Sequence, residues 1–273
     1  MPPTGSRCRL PYSRKRRLTQ NTPFSPSFAL FWGLERVGEG ASSNRYYFDI
    51  ANMYINPMNQ LPLPRTDSKG NSYISYSQIS TFLYNQADYY HNYVLGKRFE
   101  GNVYTDFGSK VGEALEVNDF ANFEPQEQNT LSQVVRLDEF EREVRLQYKG
   151  FYLLGFIDTN LLSLERIIDY KTGKHGNESK YANDSYTQIA LYALALRQET
   201  GITSAIGQVN FIQRDGNPGI GEPLMVAPVT PLMVDVDISE ARLKQVYWDT
   251  LTIAHRMSAF WEKYKGDRVN VKK

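Results

Sequence analysis

A run of strand patterns in the middle of the chain constrains the fold more than any other feature. The predicted elements are, in order, strands at 143–148, 152–159 and 166–172, a helix at 186–198 and a strand at 205–213. Lys149-Gly150 marks the first turn, polar residues near 163–165 mark the second, and Gly201 stands just beyond the helix as a stop signal. This order predicts an α/β fold, with a mixed central sheet flanked by helices.

Helical patterns lie on both sides of this run. Ser75-Tyr76-Ser77-Gln78 has the spacing of a capping box, and apolar residues follow it at helical intervals as far as Tyr93. A second helix is predicted over 108–120. A strand at 224–229 and a long helix over 239–265 complete the predicted elements.

The N-terminal segment differs from the rest of the chain. Six basic residues lie within residues 1–20, no acidic residue precedes Glu35, and several prolines interrupt any helical periodicity. A nucleic-acid-binding tail, a transit peptide and a disordered or non-native leader are the three interpretations. We expect the third, with a basic leader over 1–57 and a single domain over 58–273.

Composition excludes several classes of protein. The 273 residues can bury one substantial core, and Cys8 is the only cysteine, so a disulfide framework or an all-cysteine metal site is excluded. No apolar run approaches the roughly 20 residues of a membrane helix. The segment 216–221 lacks the Gly-Lys-Ser/Thr ending of a phosphate-binding loop. The net charge of +1 is uninformative, because a bound metal can supply local positive charge.

Two aspartates and a lysine carry the predicted chemistry. Asp158 ends one apolar strand and Asp169 ends the next, and Lys171 shares a strand face with Asp169 because it lies two residues further on. If the strands are neighbours, the carboxylates converge on a site for Mg²⁺ or Mn²⁺, with the lysine orienting or helping to deprotonate an attacking water. The alternative is that the acids merely begin turns and Lys171 is a solvated strand end.

Five motifs around these residues resemble the PD-(D/E)XK nuclease superfamily, in its RecB-like branch of exonucleases and CRISPR-associated nucleases. The resemblance runs from about Ile74 to Ala195. Its motifs are the opening helix Ile74–Ile79, the Gly108 and Glu116 ends of a Gly-x-x-x-His-x-x-x-Glu helix, Gly155-Phe156-Ile157-Asp158, Asp169-Tyr170-Lys171-Thr172-Gly173, and Gln188-Ile189-Ala190-Leu191-Tyr192.

The resemblance implies a restriction-endonuclease-like core and a role for each matching residue. Glu116, Asp158 and Asp169 would bind one or two divalent metal ions, with the Tyr170 carbonyl as a further ligand. Lys171 would position the water. Gln188 and Tyr192 share a helix face and would contact the phosphate or hold Lys171 in position, although Tyr192 fits core packing equally well. Lys174 is a candidate phosphate contact.

Two departures from the family pattern bear on the expected activity and on the expected cofactor. Gly112 occupies the position of the histidine that accompanies exonuclease activity, so exonuclease and endonuclease remain hard to separate. Asn85-Gln86 replaces the cysteine-proline pair of the iron–sulfur members, and no cysteines follow. We therefore expect no iron–sulfur cluster.

The expected function is hydrolysis of DNA, with Mg²⁺ or Mn²⁺, by an exonuclease of replication, recombination or repair, with a phage genome as one setting. Its partner would be single- or double-stranded DNA ends, in the cytoplasm of a bacterium or an infected host cell, without secretion or membrane attachment. An inactive nuclease-fold binding or assembly module and an RNA-directed endonuclease are the alternatives. The histidines are expected outside the site, although His175 could reach the substrate. The tyrosines near 84–93 are expected to pack in the core rather than stack on bases.

Overall fold

A computed structural model describes residues 60–97, 101–183 and 185–268. The expected leader and its boundary at residue 57 lie outside these ranges. The described residues form a mixed sheet flanked by helices, as the sequence predicts. Its seven strands are β1 (Tyr73–Ile74), β2 (Glu139–Tyr148), β3 (Phe151–Asn160), β4 (Arg166–Gly173), β5 (Ile206–Asp215), β6 (Met225–Val226) and β7 (Leu232–Val236).

Six α-helices surround the sheet in the same described ranges. They are α1 (Tyr76–Tyr84), α2 (Gln86–Tyr89), α3 (Val103–Val117), α4 (Pro125–Leu131), α5 (Gln188–Thr200) and α6 (Glu240–Tyr264). A π-helical turn, Tyr90–Val94, follows α2, and short 3-10 turns lie at Asn177–Lys180 and Pro218–Ile220. Among the described residues, none of these helices is both long and apolar enough to cross a membrane.

The sheet is mixed, with the pairs β1–β3 and β4–β5 parallel and the other described pairs antiparallel. β2 and β3 form a hairpin paired along its whole length, and β4 runs antiparallel to β3. β4 and β5 are parallel, from Arg166↔Ile206 to Gly173↔Gln213, because α5 connects them as a crossover. β7 pairs with the other edge of β5, and the short strands β1 and β6 pair with β3 and β5.

Helices cover both faces of the β4–β5 pair. A Cβ atom on Gly207 of β5 would lie 2.6 Å from Cγ2 of Ile189, so α5 packs closely on this face. Ile212 of β5, which has the opposite parity, belongs instead to a buried cluster with Phe107, Val111 and Leu115 of α3. The result is a sandwich with α5 on one side and α3 with α4 on the other.

Capping residues explain where the helices begin and end. Ser75 and Gln78 form the predicted capping box, and Gly201 ends α5 in a left-handed conformation. The first helical pattern was wrong in one respect, because the chain breaks at Asn85. That residue leaves the helical region and its side chain accepts a hydrogen bond from the Asp88 amide, which starts a new helix.

Other boundaries also differ from the prediction. The second helix begins at Val103 rather than near 108, since Asn102 and Thr105 form a capping box there, and it ends at a left-handed Asn118. The predicted strand at 224–229 is reduced to the two residues of β6. The sequence patterns did not predict β1, α4 or β7. Tyr89 is fully buried against Phe82 and Phe260, so its predicted core role is confirmed. The same prediction is wrong for Tyr84, which is 72% exposed.

Candidate active site

The candidate site lies where β3 and β4 separate. The two strands pair only at Thr159↔Ile168 and Asn160↔Ile167, next to their connecting turn. Beyond these pairs, the Tyr170 amide donates a 2.6 Å hydrogen bond to Oδ2 of Asp158 instead of to a backbone carbonyl. A side-chain carboxylate therefore satisfies a donor that the ladder leaves unpaired. This separation, which we call the fork, brings the carboxylates of Asp158 and Asp169 close together, as the sequence predicts. The prediction that both residues end their strands is wrong, because β3 and β4 continue beyond them.

Asp169 is held by three partners. It is only 1% exposed. The Tyr186 hydroxyl donates to its Oδ2 at 2.9 Å, the Gln188 amide Nε2 donates to its Oδ1 at 2.9 Å, and Lys171 forms an ion pair with it. Hydrogen bonds to a charged group are stronger than neutral ones, so the carboxylate is fixed in one orientation.

Gln188 and Tyr192 belong to the same network. Nε2 of Gln188 also donates to the Tyr192 hydroxyl at 2.8 Å, so both residues of the predicted helical motif lie beside Asp169. The Tyr192 ring packs against Gly155 of β3, where an added Cβ would lie 2.3 Å from ring atom Cε1. A side chain at position 155 would displace the ring. Tyr192 thus combines the two alternatives of the sequence analysis, core packing and contact with the site.

The electrostatics of the fork favour an additional cation. Burial and the nearby negative charge of Asp169 raise the pKa of Asp158 well above its ordinary value, although Lys171 and the Tyr170 amide act against this. Burial alone would lower the pKa of Lys171, but Asp169 and Asp158 together raise it. Two enclosed carboxylates at short range are costly to ionise together. They fit a Mg²⁺-type ion, which takes one or two protein carboxylates and keeps several waters.

A third acid stands opposite Asp158 on the neighbouring strand. The pairs Phe140↔Thr159 and Arg142↔Ile157 place Glu141 across from Asp158, and its charge contributes to the raised pKa of that residue. Glu141 has a left-handed backbone, with φ of 52°, which is uncommon for a residue other than glycine inside a strand. The sequence pattern of β2 gave no sign of this conformation.

Glu116 lies on the other side of β4 from Lys171. Its helix, α3, contacts the face that carries Thr172, whereas the side chain of Asp169 faces α5. Glu116 is half-buried and Glu113 is exposed, and a Cβ on Gly112 would meet nothing within 4 Å. Among the described residues, no group of three or more His, Cys, Asp or Glu side chains is placed to hold a metal ion. The assignment of Glu116 as a ligand stays a prediction.

Arg136 fixes the end of that helix, which the sequence did not indicate. Its guanidinium donates to the backbone carbonyls of Leu115 at 2.6 Å and Glu116 at 3.2 Å. A cation at a helix C-terminus also compensates the helix dipole. The Tyr170 side chain points toward the same layer, where its hydroxyl donates to the Val135 carbonyl at 2.9 Å.

The remaining candidate residues from the sequence differ in their exposure to solvent. Lys174 and His175 are exposed, directly after β4, and His91 is exposed at the π-helical turn. His255 is half-buried in α6, and burial lowers its pKa. Sequence reasoning missed Tyr186 because its hydroxyl reaches Asp169 from a loop. A tyrosine two residues before Gln188 was the only available signal.

The fold and this site define the class. A mixed α/β sheet whose central strands fork around an Asp–Asp–Lys group is the architecture of the restriction-endonuclease-like enzymes. The chain belongs to the PD-(D/E)XK nuclease superfamily, whose family model matches residues 120–259, about half of the sequence. The match includes the whole Asp158–Tyr192 site and begins just after Glu116. The superfamily acts on nucleic acids, and its members generally use divalent metals.

Solved structures include distant matches to the chain. One is a candidate exonuclease from Eubacterium rectale, with 13% identity and a TM-score of 0.46, covering 85% of this chain and 88% of that one. Another is the protein SSO0001, with 12% identity and a TM-score of 0.34, covering 78% and 87%. No curated protein sequence matches the chain.

Proposed function

We propose that this protein hydrolyses phosphodiester bonds in DNA with Mg²⁺ or Mn²⁺ at the fork of β3 and β4. The observation that carries the proposal is the buried Asp169 carboxylate, which is oriented by Gln188 and Tyr186 and paired with Lys171 beside Asp158. A hydrogen-bonded ion pair at a strand fork would be an expensive structural element without a function, because a hydrophobic replacement is often at least as stable.

The residues divide into metal ligands and groups that orient the reactants. Asp158, Asp169 and the Tyr170 carbonyl would hold a divalent ion, with Glu116 as the proposed ligand from α3. Such an ion, when bound, supplies an activated water and neutralises charge on the phosphate. Lys171 is held protonated by its two aspartate neighbours, which supports a role in positioning water and stabilising charge rather than in removing a proton.

Gln188 would keep Asp169 in place with one N–H of its amide and hold the Tyr192 hydroxyl with the other. The Tyr192 hydroxyl, which accepts from Gln188, can donate its own proton to a phosphate oxygen. Lys174, exposed directly after β4, is the proposed phosphate contact outside the site. The biological role we propose is that of an exonuclease in replication, recombination or repair. It would act on DNA ends in the cytoplasm of a bacterium or of a phage-infected cell.

An assay panel on the purified full chain tests this proposal. Labelled linear single strands, linear duplexes, closed circles and RNA are incubated with Mg²⁺, Mn²⁺, Ca²⁺ or EDTA. We expect loss of linear DNA with Mg²⁺ and Mn²⁺, little with Ca²⁺ and none with EDTA, while circles persist. Cleavage of circles would make the enzyme an endonuclease, and cleavage of RNA alone would contradict the DNA substrate. No cleavage of any substrate would indicate an inactive binding module.

A further inference from the structure

Three tyrosine rings form an aromatic cluster beside the candidate site. Tyr186, which donates to Asp169, meets Tyr76 of α1 edge-on with ring centroids 5.8 Å apart. It also meets Tyr181 edge-on at 5.1 Å, and Tyr181 lies on the segment between β4 and α5. We call Tyr76, Tyr181 and Tyr186 the tyrosine cluster.

The cluster adjoins the group that acts on the phosphate. The hydroxyls of Tyr76 and Tyr181 both interact electrostatically with Lys171 and with Asp169. Both rings contact the ring of Tyr186, so they lie on either side of the residue whose hydroxyl holds Asp169. That residue is next to the site of cleavage, since Lys171 and Asp169 are the groups proposed to act there.

Tyr76 and Tyr181 are less completely buried than the tyrosines of the core. Tyr89 and Tyr148 show how this protein uses tyrosine in its core, where both are buried within stacked or edge-on aromatic neighbours. Tyr76 and Tyr181 are instead only half-buried, although the Tyr181 ring also lies 5.9 Å from the ring of the buried Phe211. Tyr84, one further ring on α1 that interacts with Tyr76, is 72% exposed. Part of the aromatic surface beside Asp169 is therefore accessible to solvent.

The hydroxyls in this cluster stay neutral at physiological pH. Burial raises the pKa of Tyr76 to about 12, against the opposing effect of Lys171, and burial also raises the pKa of Tyr181. Neutral phenol rings do not repel a phosphate, and they offer an apolar face to a base. Stacking of bases on aromatic side chains is the usual way in which proteins bind unpaired strands without reading sequence.

We propose that Tyr76 and Tyr181 bind the base of the nucleotide that adjoins the scissile phosphate, so that the site takes an unpaired strand. This inference rests on the proposed nuclease function and specifies its substrate. Within a duplex, each internal base is paired at its edge and stacked on both faces, so a ring can reach the face of an internal base only after the strands separate. Base and phosphate belong to one nucleotide, so both can lie within reach of this cluster and Lys171.

The test uses Tyr76→Ala and Tyr181→Ala in the full chain, with binding measured by fluorescence anisotropy in Ca²⁺ to prevent cleavage. The probes are a short labelled thymidine homopolymer, an abasic strand of the same length and a hairpin duplex. For the wild type, we expect the base-containing single strand to bind tighter than both others. Each variant should bind that strand roughly 5- to 150-fold more weakly, the effect of losing one stacked base, and should bind the abasic strand as the wild type does.

Two further variants separate base stacking from hydrogen bonding by the tyrosine hydroxyls. Tyr76→Phe and Tyr181→Phe keep the ring and should keep the preference for the base-containing strand. Trp248→Ala removes an exposed aromatic side chain from α6 and should change nothing. Melting temperatures show whether each variant folds. If an Ala variant fails to fold, the Phe variants and the wild-type comparison of base-containing with abasic strands test the inference instead.

Four outcomes would overturn the inference. They are equal binding of base-containing and abasic strands by the wild type, tighter binding of the duplex, an equal loss with the Phe variants, and unchanged binding by the Ala variants. None of these results depends on cleavage. Mg²⁺-dependent cleavage of DNA by the wild type would still support the proposed function, so the two claims fail separately.

Discussion

Asp158 faces conflicting demands. Burial and the nearby Asp169 oppose its ionisation, yet its Oδ2 accepts a hydrogen bond from Tyr170 and a metal ligand has to be charged. Groups that serve binding rather than stability commonly have such perturbed pKa values. The metal-free protein should therefore be less stable than its packing alone would allow.

This conflict predicts that Asp158→Asn stabilises the metal-free protein. Asparagine keeps an oxygen acceptor for the Tyr170 amide but removes the repulsion with Asp169. In EDTA at neutral pH, we expect an increase in the free energy of unfolding of about 1 kcal/mol. Calorimetry should show this as a melting temperature higher by roughly 2–4 °C.

The pH dependence gives a check on the cause. A carboxyl whose pKa is raised in the folded state loses stability as pH rises from its ordinary pKa to the raised value. The advantage of Asp158→Asn should therefore be present at neutral pH and vanish in acid. Asp215→Asn, at an exposed position on β5, is the control. A destabilised Asp158→Asn protein in EDTA would contradict this account of the fork.

Lys171→Ala should impair chemistry far more than binding. In the proposed mechanism, the lysine would orient water and stabilise charge, whereas the aspartates would hold the ion, so we expect turnover to fall by about 100-fold or more. DNA affinity in Ca²⁺ should change little. The control is Lys149→Ala, which removes a lysine from the exposed β2–β3 turn. Near-normal turnover of Lys171→Ala would show that the lysine is only structural.

At the residue scale, the sequence was informative where function imposes a local pattern. Asp158, Asp169, Lys171 and Gln188 are encoded at fixed spacings on regular elements, and the fork unites them. Contacts between segments distant in sequence involve Tyr76, Tyr186 and Arg136. No fixed sequence spacing marks such contacts, so the sequence could not predict them.

Among the elements, α3 borders the site on the side of β4 opposite α5. Its face carrying Gly108 and Gly112 is turned to Thr172 and to open space, and Arg136 anchors its last carbonyls. The absence of a side chain at Gly112 leaves room there for a water, an ion or the DNA backbone. Glu116 follows one turn later on the same helix face.

We expect Glu116→Gln to weaken metal binding and Glu113→Gln to leave it unchanged. Glu113 is exposed and projects from the helix in a different direction, which makes it a matched control. Isothermal titration with Mn²⁺ and cleavage rates would be measured for both. The reverse result would place the wrong residue at the site. Tolerance of both changes would mean that Asp158 and Asp169 complete the site without the helix.

Element boundaries show how far local signals extend. The strands β2 to β5 and helix α5 were predictable because long periodic patterns end in turn residues. Asn85 caps the helix that follows the break, and Asn102 caps the early start of α3. Such side-chain hydrogen bonds to the backbone can override the apolar periodicity from which the boundaries were predicted. β7 was missed because its pairing with β5 joins segments far apart in sequence.

For the whole molecule, the N-terminal segment differs from the rest of the sequence in its prolines, its scarcity of acids and its lack of periodicity. On these grounds we predict that a chain that begins at Met53 keeps the melting temperature and the metal-dependent cleavage of the full chain. If its DNA binding weakens only at low salt, the basic segment is a nucleic-acid tether. Unfolding of the shortened chain would show instead that residues before Met53 pack on the core.

The central claim is that a metal-dependent cleavage site lies at the fork of β3 and β4. The most direct test is the single-turnover rate of DNA cleavage in Mg²⁺ by Asp169→Ala, beside Asp215→Ala as an exposed control of equal charge change. We predict that Asp169→Ala loses cleavage and measurable Mn²⁺ binding while retaining a cooperative unfolding transition, and that Asp215→Ala matches the wild type. Wild-type rates from a folded Asp169→Ala protein, or wild-type cleavage that persists in excess EDTA, would contradict the claim.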